Sequence, residues 1–183
     1  MRIIVLAGGL STERDVSLSS GAGICRTLRE KWTRRFYFWI RFWDFRTRET
    51  IWKQFFTRPD AGLSLASGIR STEPDLEAVK ASREDKSDCF FGANVIELCR
   101  LADIVFMGLH GDVGENGKLQ AAFDVLGIRY TGSGSLGCAL SMDKEITKVI
   151  FEANHIPTPK GTWMNGPPRI TPLPPPDFHF RLL

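Results

Sequence analysis

The chain has 183 residues, is 43% hydrophobic and 25% charged, and carries a net charge of +3. That profile fits a globular domain with part of another, long enough to bury a core. It excludes a membrane span, because no apolar run nears the ~18 residues required, and the charge is too small to imply a polyanionic partner by itself.

The first element is Ile3 to Ala7, an apolar run closed by Gly8-Gly9. It reads as a buried parallel strand rather than a secretory leader, being too short and broken by paired glycines. A polar stretch from Ser11 to Ser17 follows. Apolar positions then recur at Val16, Leu18, Ala22, Ile24, Cys25 and Leu28, which predicts a helix ending near Lys31.

Residues 32–58 differ in kind. They hold four of the five tryptophans, six of the thirteen phenylalanines and seven basic residues against Asp44 and Glu49. This gives the block +5 and leaves −2 for the rest of the chain. Its periodicity is neither that of a strand nor that of a helix, and residues 59–72 read as loop. The abrupt onset and end are what a shifted reading frame would produce, which the coding DNA tests. A physiological block is expected to supply a strand around residues 36–45, beside the first one.

Ordinary patterning returns at Glu73. A short helix is predicted over residues 75–82, then an amphipathic helix over residues 94–101 with Val95, Leu98 and Leu101 on one side. A strand follows at residues 104–107, then a helix at 118–126 stopped by Gly127. A short strand is expected at 128–131, helical structure at 139–142, and a helix at 144–153 that Asp143 could cap and Pro157 and Pro159 end. Residues 160–163 suggest a last strand. The tail from Asn165 holds six of the ten prolines and cannot form a regular central element. The four cysteines, at 25, 89, 99 and 138, have no Cys-x-x-Cys spacing. They read as reduced, buried thiols and argue against a structural metal. Strands alternating with helices imply βαβ units on a parallel sheet.

Two glycine-rich turns carry the chemistry. Gly8 to Ser17 and His110 to Ala122 each follow a strand and open a helix, so on a parallel sheet both lie at the carboxyl edge, where ligands bind. Backbone N–H groups at such a turn can hold an anion, and His110 could orient a carboxylate or face a transferring phosphoryl group. Glu115 and Lys118 could lend polar support. The plainer alternative is a tight turn whose histidine bonds to backbone. Glu13 could hold an ammonium group, or could only complement the helix dipole while Ser11 or Thr12 caps. Gly132-x-Gly134-x-x-Gly137 matches a dinucleotide fingerprint, but no acidic residue stands at a strand end ~20 positions on, so it reads as a structural turn. Lys144 could reach a phosphate or be a solvated surface lysine.

Three stretches resemble the D-alanine–D-alanine ligases: Gly8-Gly9-Leu10-Ser11-Thr12-Glu13-Arg14-Asp15-Val16-Ser17-Leu18; His110-Gly111-x-x-Gly114-Glu115-Asn116-Gly117-x-Leu119-Gln120-Ala121; and Tyr130-Thr131-Gly132-Ser133-Gly134 with Ser141-Met142-Asp143-Lys144. The resemblance implies a three-layer α/β sandwich with a parallel sheet, Rossmann-like, over residues 1–140. The start of an ATP-grasp domain would follow at 141–163, then an irregular tail at 164–183. It implies a cytoplasmic, ATP-dependent enzyme of peptidoglycan synthesis that uses Mg²⁺, takes D-alanine and dimerises through this domain, with no nucleic-acid or membrane partner. Glu13 would bind the ammonium of the first D-alanine and His110 would stand beside its carboxylate, both catalytic. Ser17 and Gly111 would line the same substrate site, and Lys144 would contact the nucleotide. Family members continue well past this length. The groups for Mg²⁺ and the second D-alanine are expected there, so no metal ligands are assigned in this chain and no activity is expected of it alone. The other readings are a fragment that docks on an intact ligase subunit and a nucleic-acid binder using the Trp/Arg block.

Overall fold

The structure, a computed structural model, describes residues 1–31, 37–41, 68–82, 89–92 and 94–160. It divides into two compact units, Met1–Lys144 and Glu145–Leu183. Strand β1 (Ile3–Ala7) is buried at every position, as expected of a strand covered on both faces. Strand β2 (Tyr37–Arg41) lies within the span expected from the Trp/Arg block. Strand β3 is Ile104–Met107. All three run parallel in the order β2-β1-β3, with Ile3 opposite both Tyr37 and Ile104, and Leu6 opposite both Ile40 and Met107. The register brings the carboxyl ends of β1 and β3 side by side.

Side chains alternate across β1. Ile4 and Leu6 pack with Val95, Leu98 and Cys99 of helix α3 (Val95–Leu101) and with Leu119 and Phe123 of helix α4 (Lys118–Leu126). Val5 and Ala7 pack with Leu18 and Cys25 of helix α1 (Arg14–Lys31). Helices therefore cover both faces, and the three-layer parallel α/β architecture follows from period-2 alternation meeting apolar helix stripes. Phe123 is fully buried, stacked 6.1 Å from Phe91 and tilted 6.0 Å from Tyr130, and it anchors α4 beneath the loop it follows.

The remaining elements lie close to expectation. Helix α2 (Leu76–Ala81) is capped by Asp75, whose carboxylate accepts from the Ala78 N–H at 2.9 Å. Gly127 takes a left-handed conformation and ends α4, with Ile128 N–H donating back to the Phe123 carbonyl. Helix α5 (Ser135–Met142) starts a turn earlier than predicted, because Gly134 is extended and its carbonyl accepts from Cys138 N–H. Helix α6 (Lys144–Ala153) ends before Pro157.

Three expectations need correction. Residues 128–131 form no full strand, only a parallel bridge between Tyr130 and Val105. Leu101 is 37% exposed, and Cys99 takes the core position instead. Cys89 is exposed and Cys138 half-buried, so only Cys25 and Cys99 are buried thiols. The strand expected at 160–163 and the Pro-rich tail lie outside the described residues, apart from Lys160. Among the described residues, no helix is long and apolar enough to cross a membrane.

Candidate active site

The two glycine turns meet at the carboxyl rim of β1 and β3. Helix α1 supplies their joint. Ser17 is fully buried; its hydroxyl accepts from Gly8 N–H at 2.8 Å and donates to the Gly108 carbonyl at 2.6 Å. Ser17 was expected to line the substrate site; its hydroxyl instead joins the two turns from beneath. Ser11 adds a second tie, donating to the His110 carbonyl at 2.7 Å. Arg14, 6% exposed, donates to the Gly9 carbonyl at 2.6 Å and clamps the first turn from inside. Gly108 N–H donates to the Leu6 carbonyl at 2.8 Å. A Cβ on Gly108 would stand 2.9 Å from that same oxygen, so only glycine lets β3 leave the sheet this close to β1.

The second turn needs glycine for another reason. Gly111 has φ +70° and ψ 165°, a combination essentially restricted to glycine. The backbone then reverses through a 3-10 turn, Asp112–Gly114, whose end is fixed by Glu115 N–H donating to the Asp112 carbonyl at 3.0 Å. This reversal aims Glu115 back at His110.

Three side chains converge as a result. One donor atom from each of Glu13, His110 and Glu115 lies within 4.8 Å of the others. Nδ1 of His110 stands 3.7 Å from Oε1 of Glu115, and Nε2 lies 3.1 Å from the Ser20 hydroxyl. His110 is half-buried, while both carboxylates are exposed. Glu13 also flanks Gly111, where a Cβ would lie 3.5 Å from its Oε1. The crevice between the turns encloses only about 10 Å³, room for about one water. The space open to anything larger is at the mouth, where these side chains stand. Two converging carboxylates with an imidazole favour a cationic group.

A larger cleft of about 500 Å³ opens beside Glu115, lined also by Met107, Gln120, Thr131, Ser133 and Cys138. Gln120 donates through Nε2 to the Gly114 carbonyl at 2.9 Å, and its buried Oε1 has no partner among the described residues. Asp15, two residues past Glu13, is paired with Arg70 at 2.7 and 3.2 Å. The hydrogen bond and charge of Arg70 hold its carboxyl below the usual carboxylate range. Burial, aided by Glu97, pushes the Cys99 thiol up to about 12, so this thiol packs and does not attack.

Of the residues expected at the site, the structure brings Glu13, His110 and Gly111 together. Lys144 is exposed at the first position of α6 and is not one of the converging groups. Ser20 was missed. Its signal was present, since it stands three residues after Ser17 and so on the same helix face, but two serines in a helix look unremarkable. The sequence offers Glu115 only as local polar support; its convergence with Glu13 depends on the backbone reversal at Gly111.

Known proteins identify the family. The family profile described as D-ala D-ala ligase N-terminus matches residues 2–133, a span that includes residues 32–72. A D-alanine–D-alanine ligase of Pediococcus pentosaceus is 43% identical over 162 residues, covering 86% of this chain and 44% of the relative. One of Lacticaseibacillus casei is 41% identical over 158 residues, covering 86% and 43%. The crystal structure of the Bacillus anthracis ligase complexed with ATP has a TM-score of 0.54 at 25% identity, covering 87% of this chain and 37% of that one. The chain thus spans less than half the length of these relatives, and it belongs to the D-alanine–D-alanine ligase family as a member of its amino-terminal domain.

Proposed function

We propose that this chain is the amino-terminal part of a D-alanine–D-alanine ligase and that its rim holds the first D-alanine. The carrying observation is the convergence of Glu13 and His110 within 4.8 Å at one edge of the sheet. Glu13 takes the ammonium group. His110 and the Gly111 backbone face the carboxylate, where negative charge changes during acyl activation. Ser11, Arg14 and Ser17 keep the two turns in register. In the complete ligase, ATP phosphorylates that carboxylate, and the amine of a second D-alanine displaces the phosphate.

ATP and Mg²⁺ belong to that proposal, but the described residues do not build a site for either. Lys144 offers one exposed ammonium group at a helix start, whereas phosphoryl transfer needs cationic groups and metal-binding carboxylates around the phosphates. The chain alone is therefore expected to form no dipeptide from ATP and D-alanine; product formation by the purified chain would overturn this. A cytoplasmic location and a homodimer through this domain complete the reading, and sedimentation tests the dimer.

D-alanine binding is the direct test. Calorimetry or amide shifts should detect D-alanine at the rim. Glu13→Gln should weaken binding by about tenfold or more, since a charge-assisted contact is worth about 1.5–3 kcal/mol. Equal binding by the variant, or shifts confined to residues away from the two turns, would refute the assignment.

A further inference from the structure

We propose that Gln120 is a positioning residue for the rim, a strap from helix α4 that aims the Glu115 carboxylate at His110. The inference rests on the reading of the rim as the D-alanine subsite and adds to it a residue that lies outside it. Glu115 is exposed and borders the cleft of about 500 Å³, so no packing surrounds its side chain on that side. Its direction has to come from its backbone. The peptide unit that joins Gly114 to Glu115 is planar, and both of its polar ends are held. Its carbonyl accepts from Gln120 Nε2 at 2.9 Å. Its N–H donates to the Asp112 carbonyl at 3.0 Å, and Asn116 N–H reaches the same oxygen at 2.9 Å. The Cα of Glu115 is thus pinned from before and after, and Oε1 arrives 3.7 Å from His110 Nδ1. With Ser20 on the Nε2 side at 3.1 Å, the imidazole is bracketed.

The chemistry of Gln120 points the same way. The residue is 5% exposed, on a helix whose other buried positions are Leu119 and Phe123. A buried amide has two polar atoms to satisfy, and only Nε2 finds a partner; Oε1 has none among the described residues. Turning the amide over would set two acceptors face to face, so its donor end is committed to Gly114. A residue that only filled this place would be apolar, because an unsatisfied buried acceptor lowers stability and an apolar side chain of the same shape does not. The one bond the amide makes is to the peptide that carries Glu115.

The test uses the purified 183-residue chain, with amide hydrogen exchange read by NMR and D-alanine titrated by calorimetry. Gln120→Met keeps the length and loses the donor. It should speed exchange at Glu115 and Asn116 by about fivefold or more, the worth of one neutral hydrogen bond, while β1 and α1 exchange as in the parent chain. D-alanine should bind about fivefold more weakly. In a Glu115→Gln background the same substitution should change affinity by less than about twofold, because residues that act through one contact are not additive. Unchanged exchange at residues 115 and 116, faster exchange throughout the sheet, or the full loss of affinity in the Glu115→Gln background would overturn the strap. Should Gln120→Met not fold, slow exchange of the Gln120 side-chain N–H in the parent chain supports the bond to Gly114, and exchange at the free rate overturns it. Should the parent chain bind no D-alanine, the substrate reading fails, and exchange at residues 115 and 116 alone supports or overturns the strap.

Discussion

The turn after β1 and the turn after β3 occupy neighbouring places on one rim, yet different forces shape them. The first is held by polar side chains reaching up from α1: Arg14 on the Gly9 carbonyl, Ser17 on Gly8 N–H. The second is shaped by backbone conformation, with Gly108 pressed against Leu6 and Gly111 in a region other residues avoid. Side-chain clamps couple the first turn to overall stability, because removing one orphans buried backbone groups. Glycine geometry couples the second to ligand placement, because an added Cβ displaces whatever flanks it.

Substitutions can separate these two modes. The largest effect is expected for Ser17→Ala. It leaves Gly8 N–H and the Gly108 carbonyl without their hydroxyl partner, and unsatisfied buried groups cost 1–3 kcal/mol each. A loss of about 3 kcal/mol in chemical denaturation is expected, with ligand binding lost in parallel as the turns part. A loss below about 1 kcal/mol would mean that the joint is not Ser17. Gly111→Ala comes next. Forcing a Cβ into this backbone region costs about 2 kcal/mol, but the new methyl also stands 3.5 Å from Glu13 Oε1 and 3.3 Å from the Ser11 hydroxyl. Binding at Glu13 should therefore fall further than stability alone accounts for, as a titration beside a melt will show. Equal losses of the two would erase the contrast between the turns.

The smallest effect concerns the Asp15–Arg70 pair, which ties residue 70 to the start of α1. Asp15 has a folded pKa below its unfolded value, so the pair stabilises above the unfolded value of about 3.9. That contribution fades as pH falls through the lowered folded pKa. Arg70→Ala should lower the denaturation midpoint slightly at neutral pH, and its midpoint should converge with that of the parent chain in acid. A gap that persists in strong acid would assign the effect to something other than this carboxylate.

Much of the fold was legible because its signals are local. Ile3 to Ala7 is an unbroken apolar run, and Gly127 stops α4 through its own left-handed backbone. Placement of the two glycine turns on one rim followed from parallel strands alone. The internal structure of the site was less legible, because it depends on partners far apart in sequence. Nothing near residue 17 indicates that its hydroxyl bridges to residue 108, and Glu115 reaches His110 only through the 3-10 reversal. The start of α5 was missed because Gly134 and Gly137 hide helical propensity, while the backbone around Gly134 supports it. The Val105–Tyr130 bridge falls short of a strand because its ladder is confined to Val105, whose N–H and carbonyl bond residues 129 and 131.

The joints of the rim also govern when it can exist. The Ser17–Gly108 and Ser11–His110 bonds span 91 and 99 residues. Each closes a long loop whose entropy must be overcome before any contact repays it. On a translating ribosome the first turn emerges far ahead of its counterpart and waits half-made. The complete rim thus forms only once β3 has emerged and paired with β1, so ligand capture reports closure of this domain rather than starting it.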